Sequence, residues 1–267
     1  MNLLELFSGT HSIGKVAKEK NYNVISLDRD LPAKSKIYNY TSENHIKEDI
    51  MNWDYKIYPP NYFYIITASP VCLWWSNLRN CWIGRKCKSI NPTEIITKEI
   101  LEEEIKLKGE PMVDKVIEII KYFKPKYWWI ENPQTGKMKH YIKNMYPEFN
   151  IFYDVDYCQY SDWGYQKKTR FWTNIKNFNP KICNKDCDNL IKRGNQKVHK
   201  NNLAGNNWII DNNKHINVKN KELRIKYKEK LKHKKDVSVS VGSGTNRLDR
   251  YRIPEKLIIE LFNKVKY

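Results

Sequence analysis

Four short apolar runs, each of strand length and each followed at once by a chemically committed residue, constrain the fold of this chain more than any other feature. Tyr62-Phe63-Tyr64-Ile65-Ile66 leads into Ala68-Ser69-Pro70-Val71-Cys72, and Leu3-Leu4-Glu5-Leu6 leads into Phe7-Ser8-Gly9. Asn23-Val24-Ile25-Ser26-Leu27 ends in Asp28-Arg29-Asp30, and Lys126-Tyr127-Trp128-Trp129-Ile130 delivers Glu131-Asn132-Pro133. Near-continuous apolar runs suit strands covered on both faces. Between them, the stretch from Pro111 to Phe123 has apolar residues at helical spacing and predicts the helix that precedes the Glu131 strand. Strand and helix alternating through residue 174 predict an α/β domain with a mostly parallel sheet and helices on both faces. In such a sheet, ligands bind outside the carboxyl ends of the strands, where all four runs place their functional groups.

An isolated cysteine is more often a buried structural thiol. At a strand's carboxyl end, however, a cysteine faces a cleft and can act as a nucleophile where its neighbours favour the thiolate. Gly9, followed by Thr10-His11-Ser12-Ile13-Gly14-Lys15-Val16-Ala17, reads as a tight turn opening a helix, which is a cradle for an anion or nucleotide. Asp28 falls about 20 residues beyond the first glycine, where a nucleotide-binding unit holds ribose hydroxyls; Asp30 is the weaker candidate. Gly9, Gly14 and Lys15 also match the phosphate loop of NTPases except at its last position. There Val16 replaces the hydroxyl residue that ligates magnesium, so the NTPase reading is set aside.

The chain carries 48 lysines and arginines against 30 acidic residues, a formal net charge of +18, which points to a polyanionic partner. An abundance of Lys, Asn, Ile and Tyr could reflect an AT-rich genome, so location is more telling than total. Between residues 175 and 240 stand 17 basic and 6 acidic residues, a net of +11. Within it Leu223, Tyr227 and Leu231 repeat every four residues and predict a thin amphipathic helix with a cationic outer face, suited to phosphate contacts. Six cysteines, with no secretory signal or membrane-length apolar run, argue for a reducing intracellular setting without disulfides. Cys183, Cys187 and His199 suggest part of a zinc site, but a structural site takes four ligands and the spacing is irregular. Cys81 and Cys87 would complete it only if the fold brought them over, so no metal is expected.

In order, Phe7-Ser8-Gly9, Asp28, Pro70-Val71-Cys72, Glu131-Asn132-Pro133 and Gln166-Lys167-Lys168-Thr169-Arg170 resemble the motifs of the cytosine-C5 DNA methyltransferases. The segment from Tyr251 to Ile258 resembles that family's closing helix. The wording Glu131-Asn132-Pro133-Gln134-Thr135-Gly136 and Asp156-Tyr157-Cys158-Gln159-Tyr160 is most similar to small phage and giant-virus members. The resemblance implies a Rossmann-like S-adenosylmethionine-dependent methyltransferase fold over residues 1–174 and 242–267, with a small basic target-recognition region at 175–241. It implies methyl transfer to C5 of a flipped-out cytosine in duplex DNA through a covalent Cys72–C6 adduct. A tRNA substrate, or a nucleic-acid-binding protein with impaired catalysis, are the alternatives. A short recognition insert implies a short site or weak specificity, and no membrane partner and a monomer are expected.

The roles implied by resemblance are specific. Cys72 is the nucleophile, Glu131 recognises and neutralises the base, Asn132 braces the loop, and Arg170 contacts the cytosine O2 or the surroundings of the nucleophile. Phe7, Ser8 and Gly9 form the cofactor turn, Asp28 holds ribose, Asp49 and Ile50 flank adenine, and Pro70 lines the methyl path. Two departures stand out. His11 and Ser12 replace expected glycines, which implies crowding and weaker cofactor binding, and Lys168 replaces an arginine and loses its planar fork. Residues 76–108, with Arg79, Arg85 and Lys86, correspond to the family segment that closes over DNA. Trp74 and Trp75, so close to a strand, are read as core rather than as stacking platforms.

Overall fold

The computed structural model describes residues 1–30, 44–86, 94–193, 195–201, 208–211, 214–217 and 251–266. The predicted amphipathic helix around Leu223, Tyr227 and Leu231 lies outside them. The apolar runs form β1 (Asn2–Leu6), β2 (Asn23–Asp28), β4 (Ile65–Ala68) and β5 (Tyr127–Pro133), with β3 (His45–Lys47), β6 (Phe152–Asp156) and β7 (Lys168–Thr173) completing a seven-stranded sheet. Its order is β3-β2-β1-β4-β5-β7-β6, parallel except for β7, which runs antiparallel to both neighbours. From β1 the chain builds outward through β2 and β3, then crosses back to place β4 on the other side of β1. That reversal makes the β1/β4 boundary the topological switch point, where a crevice opens.

Register converts this topology into a site. Leu27, Leu6, Ala68, Ile130 and Trp172 form one row across five strands. One residue further along the parallel strands stand Asp28, Phe7, Ser69 and Glu131, so the motif residues emerge along one edge because their strands end together.

The faces of the sheet bury separate cores. Leu4, Leu6, Ile66, Ile130 and Trp172 pack against α3 (Glu110–Phe123) and α4 (Met138–Met145), while Leu3, Ile65, Trp129 and Phe171 pack against α1 (Ser12–Glu19) and α5 (Glu255–Phe262). α3 starts with Pro111 in its first turn and ends at Lys124 in a left-handed cap, as the helical spacing predicts. The short α2 (Lys98–Glu104) precedes it. Ile175 and Phe178 are buried with Phe171 and α5. Beyond Phe178 the basic region contributes two hairpins, β8 (Leu190–Arg193) with β9 (Gln196–His199) and β10 (Trp208–Asp211) with β11 (Lys214–Asn217). Among the described residues no helix is long and apolar enough to cross a membrane.

Glu5 explains how β1 couples to α1. Its buried carboxylate accepts the Ile13 and Gly14 amides at 3.2 and 3.0 Å and the Ser26 hydroxyl at 3.0 Å, so an acid inside the sheet satisfies the helix start. A Cβ on Gly14 would stand 2.5 Å from Glu5 Oε2. Gly14→Ala is therefore expected to destabilise the protein by about 1–3 kcal/mol despite alanine's better helix propensity, because a tethered buried carboxylate must shift. Urea denaturation measures this; a stabilised variant would show that Glu5 can move freely.

Candidate active site

After β1 the backbone turns tightly. Phe7, Gly9 and His11 all have left-handed φ angles of 56°, 45° and 52°. For Phe7 and His11 this conformation costs on the order of 1–2 kcal/mol each, so the fold enforces it. Anchors are visible: the Ser8 amide donates to the Leu27 carbonyl at 3.1 Å, and the Gly9 amide to Asp28 Oδ2 at 2.9 Å. The Asp30 amide donates to the other Asp28 oxygen at 3.0 Å, leaving the Asp28 carboxylate fixed with lone pairs to spare. The Glu48 amide donates to the Asp28 carbonyl, which brings Asp49 alongside; Asp49 accepts the Met51 amide at 3.0 Å and Ile50 is buried. Phe7 is half-buried against the core, and the buried Ser8 hydroxyl has no hydrogen-bond partner among the described residues.

His11 and Ser12, expected to crowd a bound cofactor, engage different partners. The His11 ring is buried, 3.4 Å from Glu5 and edge-on to His45 at 5.3 Å between centroids. Ser12 accepts the Ile253 amide at 3.2 Å and so ties the turn to the segment before α5. Lys15 pairs with Glu255 at 3.3 Å, a surface contact rather than a phosphate clamp. A cleft of about 770 Å³ opens on this flank between Thr10–Ser12, Tyr160–Trp163 and Arg252–Lys256. None of the seven residues expected at the cofactor lines it.

Cys72 lies half-buried in the loop after β4. Fully buried Asn132 fixes that loop by donating to the Pro70 carbonyl at 2.8 Å. Glu131 Oε1 accepts two hydrogen bonds, from the Tyr157 hydroxyl at 2.8 Å and from Lys167 Nζ at 3.2 Å. Neither bond uses Oε2. Burial pushes the Cys72 thiol up; the Lys167 ammonium opposes that rise and the Glu131 carboxylate adds to it. Burial, with Glu131 beside it, drives the Tyr157 hydroxyl well above its ordinary value, so it stays a proton donor to the carboxylate. A thiol, a carboxylate and an ammonium are thus electrostatically linked at the end of β5. Lys167 and Tyr157 were not singled out from the sequence, although both lie inside segments that were quoted.

Arg170 departs from its expected position. Its guanidinium makes a two-pronged pair with Asp154 at 2.7 and 2.8 Å and lies 3.5 Å from the Phe152 ring centroid. Burial pushes the Asp154 carboxyl up, but the Arg170 and Gln134 hydrogen bonds outweigh it and hold the group below its ordinary range. The cause is strand alternation: Arg170 pairs opposite Asn132 and Asp154, whereas Glu131 pairs opposite Phe171, so Arg170 and Glu131 project from opposite faces. Lys167, just before β7, reaches Glu131 instead, and Lys168 is exposed.

Arg79 is likewise not a free cation for DNA. It is buried, paired with Glu104 and flanked by the Trp74 and Trp82 rings. Trp75 is core, as expected, and Trp74 packs against it. The partial cluster of Cys183, Cys187 and His199 gains a fourth member, Cys158, while Cys81 is exposed elsewhere and Cys87 lies outside the described residues. The expectation of an incomplete cluster fails because the fourth member comes from the short helical turn after β6, 25 residues upstream of Cys183.

Over 267 residues the chain is 33% identical to the probable DNA (cytosine-5)-methyltransferase of Frog virus 3 (isolate Goorha), covering 98% of this chain and 99% of that protein. No family model matches. Among solved structures, the S. pombe Dnmt2 methyltransferase overlays 65% of this chain and 50% of its own, with 16% identity and a TM-score of 0.40. A putative DNA modification methyltransferase encoded within an E. coli prophage overlays 68% of this chain and 51% of its own, with 13% identity and a TM-score of 0.40. The chain spans about half the length of these two structures.

Proposed function

This chain belongs to the DNA (cytosine-5)-methyltransferase family, and on that premise we propose that it methylates C5 of a cytosine flipped out of duplex DNA, using S-adenosylmethionine and a covalent bond from Cys72 to C6. The observation that carries this reading is the common edge of β1, β4 and β5, where the Gly9 turn, Cys72 and Glu131 emerge side by side. The turn suits a nucleoside-bearing donor: Asp28 retains acceptor capacity for ribose hydroxyls, Ser8 has an unpartnered buried hydroxyl, and Asp49 and Ile50 flank the same edge. In this reading Phe7 walls the adenine side and Pro70 lines the methyl path beside Cys72. Bound there, S-adenosylmethionine supplies an electrophilic methyl group.

Cys72 acts first. Cytosine C5 is a weak nucleophile, so the thiolate adds to C6, forming the C–S bond and turning C5 into the carbon of an enamine. Charge moves toward N3 as it does so. Glu131, as its protonated acid, hydrogen-bonds N3 through Oε2 while Tyr157 and Lys167 hold Oε1, which fixes the orientation and identifies the base. Lys167 has a second task, offsetting the desolvation that keeps Cys72 protonated. Asn132 holds the Pro70–Cys72 loop in register with the ring. After C5 has taken the methyl group, a solvent base removes the C5 proton, the C6–S bond breaks so that Cys72 leaves as thiolate, and N3 returns its proton to Glu131. The target base must leave the helix for any of this, since a stacked cytosine cannot meet the thiol.

Transfer of labelled methyl from S-adenosylmethionine to unmethylated duplex DNA and to tRNA, side by side, tests the proposal. Label recovered from DNA as 5-methylcytosine is the expected result. Label in tRNA alone would keep the chemistry and overturn the substrate, and retention of DNA binding with no transfer to either would overturn the activity.

A further inference from the structure

Away from the proposed active site, the described residues hold one concentration of soft ligands. Cys158 follows β6 in a short helical turn, Cys183 and Cys187 lie on the loop entering the basic region, and His199 ends β9. Their three Sγ atoms and the imidazole nitrogen all lie within 4.8 Å of one another. His199 Nε2 stands 3.6 Å from Cys183 Sγ and 3.4 Å from Cys187 Sγ. A tetrahedral zinc ion with Zn–S near 2.3 Å and Zn–N near 2.0–2.1 Å requires S···N edges of about 3.5 Å and S···S edges of about 3.8 Å. Both His199 distances match the S···N edge, and no pair among the four atoms is more than 4.8 Å apart. A disulfide would instead bring two sulfurs to about 2.05 Å and leave the imidazole without a role.

We propose that Cys158, Cys183, Cys187 and His199 bind one structural zinc ion that fastens the basic region to the catalytic sheet. Thiolates and imidazole in tetrahedral array select zinc among common cellular metals, and four protein ligands leave no open position for catalysis. Supporting bonds hold the ligands in place, as metal sites need. The Cys183 amide donates to Asp156 Oδ2 at 2.8 Å, and Asn189 donates to the Cys158 carbonyl at 2.8 Å while accepting the Gly164 amide at 2.8 Å. Gln159 donates to Asp186 at 2.7 Å between the two cysteines. Cys158 is the chain neighbour of Tyr157, whose hydroxyl holds Glu131. The ion would therefore hold the β8–β9 hairpin at a fixed offset from the carboxylate that reads the base. The metal assignment stands on ligand geometry alone; only this coupling to the base rests on the proposed methyltransferase reading.

The full chain, purified in reductant from zinc-supplemented cells, provides the test. One zinc per chain by mass spectrometry of the metal is expected, with three of the six thiols protected from a thiol reagent until a chelator is added. Exchange with cobalt(II) should give the visible absorption of a tetrahedral thiolate site. Cys158→Ser and His199→Ala should each weaken zinc binding on the order of 100-fold or more, whereas Cys81→Ser should leave it unchanged. Chelation should speed proteolysis within residues 183–200 even in assays without DNA or methyl donor. Zinc-free protein that takes up no cobalt and exposes all six thiols would overturn the proposal, as would full zinc affinity in Cys158→Ser. Neither result would bear on methyl transfer.

Discussion

Cys72→Ser is expected to lower methyl transfer by on the order of 10⁴-fold or more while leaving DNA and S-adenosylmethionine affinities within a few-fold of the parent chain. Serine keeps the size of the side chain but replaces the thiol with a hydroxyl that ionises far less readily and is a poorer nucleophile. The same thiol sets the pH dependence. Burial raises its pKa, so at neutral pH the reactive thiolate is the minority form despite Lys167. The thiolate is the form that reacts, so Cys72 alkylation falls as pH drops and rises by about tenfold per unit as pH climbs toward the raised thiol pKa. Methyl transfer, which also needs a proton on Glu131, should rise less steeply over the same range. A serine variant with substantial turnover, or a flat alkylation profile, would remove Cys72 from its assigned role.

Glu131→Gln is expected to reduce kcat by about 10²–10⁴-fold, because an amide can hydrogen-bond the base but cannot supply the proton that neutralises it. Stability should also fall, since Lys167 and Glu131 form a largely buried pair with side-chain exposures of 10% and 8%. Removing one partner of such a pair costs about 3–5 kcal/mol at most. The two effects separate in the double variant Glu131→Gln with Lys167→Met, which removes both charges: stability should largely return and turnover should not. A third readout moves the other way. The Glu131 carboxylate raises the Cys72 thiol, so its removal alone should make Cys72 easier to alkylate at neutral pH even as methyl transfer collapses. Recovery of turnover in the double variant would reduce Glu131 to a structural partner of Lys167.

Much of the catalytic frame was legible in the residues because strand-forming runs and their terminal motifs are local. Leu3–Leu6, Ile65–Ala68 and Trp128–Ile130 are buried on both faces and mostly apolar, which nearly dictates central parallel strands, and the residue type that follows each run states its chemistry. The helix ending at Phe123 and the closing helix after Pro254 were readable for the same reason. His11 misled because occupancy of a left-handed turn by a non-glycine residue says nothing about where the ring goes; Glu5 and His45, distant in sequence, draw it into the core.

What the sequence by itself determined was the kind of fold and the order of its motifs, and it singled out the thiol and carboxylate of the proposed site, since each depends on a few adjacent residues and their periodicity. Only the tertiary structure decided which cations serve them. A one-residue difference in strand position turns Arg170 toward Asp154 and leaves Glu131 to Lys167, and no spacing within a single segment specifies the face on which a partner strand will meet it. The same holds for Arg79, committed to Glu104 across a loop, and for Cys158, which joins Cys183, Cys187 and His199 only because β6 and the entrance to the basic region pack together. Pairings of this kind are set by long-range packing, where residues far apart in the chain compete for the same buried space.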